Sequence, residues 1–139
     1  MPRWWALLGL VALLAACGGA SATPTVGACT ASGGKPVYDL LQSYSVNWEK
    51  AANRADTAPR TALAAEIESM RTIRRDLSAE QLPTCGKAAQ TAFVAMMDTI
   101  IEGFSATVEQ QPKETTSAIF ERARIQKETL RDEVQKLVR

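Results

Sequence analysis

The chain has 139 residues, enough for one domain of ordinary size, and carries 16 Lys and Arg against 15 Asp and Glu with no histidine. Bulk charge this close to zero leaves no electrostatic footprint for nucleic acid. Without histidine the commonest general base, metal ligand and near-neutral pH switch are all missing. No nucleophile stands in a pattern with a base and an orienting group, so the chain reads as non-catalytic, with no cofactor and no metal.

Residues 1–16 start with the basic Arg3, pass Trp4 and Trp5, and continue through the apolar run from Ala6 to Leu14. This is the layout of an export leader, and the run is well short of the roughly 20 residues that span a bilayer. Leu14, Ala15, Ala16 and Cys17 follow. That box resembles the lipobox of bacterial lipoprotein precursors, and the resemblance covers only the leader and the cysteine. It implies that a diacylglycerol is attached to the Cys17 thiol and that the chain is cut before it, where the small Ala15 and Ala16 give the peptidase room. The mature protein is then expected in the cell envelope, outside the cytoplasm, held on membrane lipid through the acylated Cys17. Gly18 resembles the pattern that lacks inner-membrane retention, which favours an outer membrane where there are two.

Residues 17–35 are rich in Gly, Ala, Ser and Thr and show no apolar period, so they read as the lipidated N-terminus followed by a flexible linker. A linker of this kind averages roughly 23 Å end to end. Cys29 lies in it, and Cys85 follows Pro83 further along. With Cys17 committed to lipid by the resemblance, Cys29 and Cys85 are expected to form a disulfide in an oxidising compartment; two free thiols are the alternative.

From residue 36 to 139 helical periodicity recurs four times between proline-marked breaks, and no segment alternates with period two. The expected fold is all-α, a small antiparallel bundle of four helices in which the last either closes the bundle or projects. The first helix, with Pro36 at its first position, carries Val37, Leu40, Leu41, Tyr44, Trp48, Ala51, Ala52 and Ala55 on one face. Pro59 opens the second, with the stripe Leu63, Ile67, Met70, Ile73 and Leu77. Thr84 is expected to cap the third, which runs to about Gln111. Its apolar residues, among them Ala89, Phe93, Met96, Met97, Ile100 and Phe104, cover roughly 200° of its surface and place it at the core. The fourth follows Pro112 with Ile119, Phe120, Ala123, Leu130, Val134, Leu137 and Val138 on one side. Its other faces hold the pairs Glu121 with Arg124, Glu128 with Arg131 and Asp132 with Lys136.

Candidate chemistry is thin. Asp98 and Glu102 share a helix face at the spacing of a carboxylate pair, but read as solvated charges because no histidine completes a di-metal motif. Arg71, Arg74 and Arg75 form a basic cluster that either follows the helix dipole or meets anionic headgroups. Trp48, Met70, Phe93, Met96 and Met97 are candidate core residues, or the lining of a ligand or soft-metal site. The leading functional expectation is a membrane-tethered interaction or scaffold module with a protein partner; the alternative is a binding protein for a small apolar ligand or soft metal in the bundle interior. The helical region resembles no particular family.

Overall fold

The computed structural model describes residues 31–139, and these are helical apart from short connections, with no strand among them. Four helices run α1 Ala31–Thr57, α2 Arg60–Ala79, α3 Thr84–Val108 and α4 Lys113–Gln135. Connections this short force each helix to run antiparallel to the one before it, giving an up-down-up-down bundle. α3 packs on all three of the others and most extensively on α4.

The expected breaks hold, and the expected caps do not. α1 begins at Ala31 instead of at Pro36, so helix occupies the last five residues assigned to the linker, and Pro36 lies inside it. Proline there removes the hydrogen bond to the Ser32 carbonyl. One turn of helix is held there by Lys35, which bonds Asp39 at 2.8 Å. α3 likewise has Pro83 at its N-cap, with no side-chain bond from Thr84, which is already helical. Proline leaves a helix end with nothing to donate, and its fixed φ positions the first turn instead.

The core follows the stripes. Met70, Leu77 and Met97 are fully buried, and Val37, Leu41, Trp48, Ala51, Leu63, Ile67, Phe93 and Met96 surround them. The α3–α4 contact is closest at Gly103, where an added Cβ would sit 2.7 Å from Phe120 Cζ. With no side chain at 103, the Phe120 ring lies against the α3 backbone and meets Phe104 edge-on, with centroids 5.4 Å apart at 74°. Several of the expected apolar residues are only half-buried, Leu40, Tyr44, Ile73, Leu130 and Val134 among them. Ile100 is another, and Val138 is 54% exposed while Leu137 before it is buried.

α3 ends in a Schellman motif. Gln111 N–H bonds Ala106 O at 3.0 Å, Gln110 N–H bonds Thr107 O at 3.2 Å, and Gln110 takes φ 57°. A side chain in that left-handed conformation is strained where glycine is not. Gln110→Gly should therefore stabilise the domain by about 0.5–1 kcal/mol in urea unfolding, although it also loosens the unfolded chain. Met97→Ala should cost about 2–5 kcal/mol, and Ile100→Ala clearly less, because the first empties a closed core position and the second trims a side chain already facing solvent.

Candidate functional site

α4 lies along α3 but barely touches α1, so the seam between α1 and α4 is an open groove. Its floor is α3, through Phe93, Met96, Ile100 and Phe104. Two hollows sit along it. One, about 290 Å³, lies between Leu41, Gln42 and Ser45 of α1 and Leu130, Arg131 and Val134 of α4, above Phe93. The other, about 340 Å³, lies between Ala52, Asn53 and Asp56 of α1 and Phe120, Ala123 and Arg124 of α4. Lys127 lines both. A larger hollow of about 560 Å³ at the α3–α4 end is walled by Glu102, Glu109, Gln111, Thr115 and Arg122, and has no comparable apolar floor.

The charges around the groove are mostly spoken for. Arg124 is held by Glu121 and Arg131 by Glu128, at 2.7 and 2.6 Å. Arg124 holds the Glu121 carboxyl below the usual carboxylate range. Lys127 forms no ion pair with any described residue. It also stands one turn from Ala123 and from Leu130, in the same row as Phe120 and Val134. A cation thus interrupts an apolar seam at a heptad position, where such a residue weakens packing.

The candidate residues named from sequence divide. Cys17 and Cys29 lie outside the described residues, and Cys85 is the second residue of α3, half-buried. Trp48, Met70 and Met97 are closed into the core, while Phe93 and Met96 reach the groove floor. Asp98 and Glu102 do not act together. Asp98 takes a two-pronged bond from Arg74 at 2.7 and 2.8 Å across to α2, whereas Glu102 pairs with Arg122 across to α4. Both are exposed, as expected of solvated charges, and each also joins two helices. Arg71 and Arg75 pair with Glu68 and Asp76, so the arginine cluster is neutralised residue by residue. Lys136 bonds Glu133 at 2.6 Å, where Asp132 was expected. No group of three potential metal-binding His, Cys, Asp or Glu side chains occurs among the described residues.

Periodicity alone also missed a polar knot at one end of the bundle. Gln90, buried on α3, donates to Leu77 O at 2.7 Å and Glu80 O at 2.9 Å, so it satisfies the carbonyls at the end of α2. Its signal was a lone amide within the apolar face from Ala89 to Phe93. Tyr44 of α1 donates its hydroxyl to Glu80 Oε1 at 2.8 Å. Burial, that hydrogen bond and the negative charges of Glu80 and Asp76 push the Tyr44 phenol up to about 12.

The chain matches no known family. No curated protein and no solved structure matches it either.

Because the folded Tyr44 value lies above its ordinary 10.0, the stabilisation is complete below that pH and is lost as pH rises through about 12. Phenolate absorbance should show one tyrosine ionising near the upper value. Tyr44→Phe should abolish that late step and flatten the loss of stability over the same interval.

Proposed function

We propose that this chain is the precursor of a membrane-tethered extracytoplasmic lipoprotein, and that its helical domain is a non-catalytic module that holds an occupant in the α1–α4 groove. The observation that carries the second half is the open seam itself. The interior is filled by Met70, Leu77 and Met97, which leaves no room for a ligand at the bundle centre, while the groove has an apolar floor and hollows of useful size. The filled interior counts against the expected ligand site there, and the open seam supports an occupant held at the surface of the bundle instead. A protein partner laid along the same groove is the second reading, favoured by its length: Phe93 to Phe104 spans about 16 Å of helix.

The tether rests on Leu14, Ala15, Ala16 and Cys17, and the Cys29–Cys85 disulfide on its neighbours in space. Gly86, next to Cys85, packs so closely on α1 that an added Cβ would lie 2.7 Å from Val37 Cγ1. Cys85 is thus one residue from a close contact with Val37, and Cys29 precedes Val37 by eight residues in the chain. Such a bridge would close a loop worth about 4 kcal/mol in the chain-entropy account.

Replacing Cys17 with Ser should release the protein from membranes without changing its helical circular dichroism, since lipid and core lie on separate parts of the chain. Fractionation of cells expressing wild type and Cys17→Ser reads the first effect. Continued sedimentation of the variant with membranes would defeat the lipoprotein reading.

A further inference from the structure

Within the groove the two hollows differ in charge. The one over Phe93 has apolar walls in Leu41, Leu130 and Val134, and neutral donors in Gln42 and Ser45. Its only acid, Glu128, is taken up by Arg131, which leaves the ammonium of Lys127 at its inner end. The hollow over Ile100 has Asp56 on its wall, which disfavours an anion there. We propose that the hollow over Phe93 binds an anionic amphiphile, with its carboxylate or phosphate head on Lys127 and its alkyl chain lying toward Leu41 and Val134. The proposal rests on the groove being the binding site and adds the chemical class of the occupant.

The dimensions agree with the charge. From Lys127 to Val134 the wall runs about 10 Å, the reach of an extended alkyl chain of roughly eight to ten carbons. A volume of about 290 Å³ with apolar walls removes such a chain from water, which is the main source of affinity. The head then meets a cation that is in no ion pair with the described residues, so the contact is charge-assisted. A neutral chain would leave Lys127 unanswered, and a cationic one would be repelled.

The test uses the full chain in nanodiscs of zwitterionic lipid and two diazirine-bearing probes of equal length, decanoate and decyltrimethylammonium, with labelled peptides mapped by mass spectrometry. Decanoate should label the segments around Leu41 and Leu130–Val134. Lys127→Glu should reduce that labelling about tenfold and raise labelling by the ammonium probe, while Lys127→Arg should preserve the wild-type preference. Val134→Trp, which fills the hollow without touching the charge, should abolish labelling by both, and circular dichroism checks that each variant folds. Equal labelling by both probes, indifferent to Lys127→Glu, would overturn the anionic class and leave the groove as a binding site. Labelling spread evenly over the domain, or none in the groove with either probe, would overturn the small-ligand reading of the groove itself and leave the seam to a protein partner.

Discussion

α3 has more apolar surface than any one neighbour can cover, and the rest of the bundle is arranged around that excess. Residues from Ala89 to Phe104 that reject water cover roughly 200° of its circumference, and a flanking helix shields only part of such an arc. α2 packs on the side of Asp98, which Arg74 reaches, and α4 closes on the side of Phe104 and Gly103. α1 is left to cover the remainder from across the bundle, reaching α3 less fully than it reaches α2. The same composition makes α3 the one described helix long and apolar enough to cross a membrane, yet Asp98 and Glu102 project from it into ion pairs with flanking helices.

Charge marks the same path around the bundle. Each pair of consecutive helices is joined by one arginine and one carboxylate: Arg54 with Glu66, Arg74 with Asp98, and Arg122 with Glu102. These pairs are substantially exposed, and each contributes only about 0–1 kcal/mol. Their value lies more in register, since a helix slipped by one turn would separate the partners. Among the described residues no ion pair joins α1 to α4, which also barely touch.

Sequence pattern revealed what is periodic and local. The four helices, their proline breaks and the buried stripes of Leu63, Ile67, Met70 and Leu77 follow from steps of three and four residues. So do the pairs within one turn, Glu121 with Arg124 and Glu128 with Arg131. Contacts between helices were hidden, because nothing in a single sequence states which faces meet. The links from Asp98 to Arg74 and from Glu102 to Arg122 therefore went unread, as did the bonds of Gln90 to the end of α2. The helix ends misled for another reason. Pro36 and Thr84 are favoured starting residues, but preference at a terminus amounts to about 1 kcal/mol and yields to what the flanking chain can do.

The groove was legible in part, as an absence in the α4 stripe. Phe120, Ala123, Leu130, Val134 and Leu137 mark a heptad seam, and Lys127 occupies the position where that seam should hold another apolar side chain. An ammonium cannot be closed between two helices without a partner, because losing its water costs far more than the adjoining apolar contact returns. Asp56 of α1 lines one of the hollows with Lys127, but no ion pair forms between them. Closing α4 on α1 would thus bury an unpaired charge, and a slightly parted seam keeps Lys127 in water. The opening that makes the groove and the cation that gives it a preference have the same origin, so any substitution that lets the helices close also removes the reason for an anion to enter.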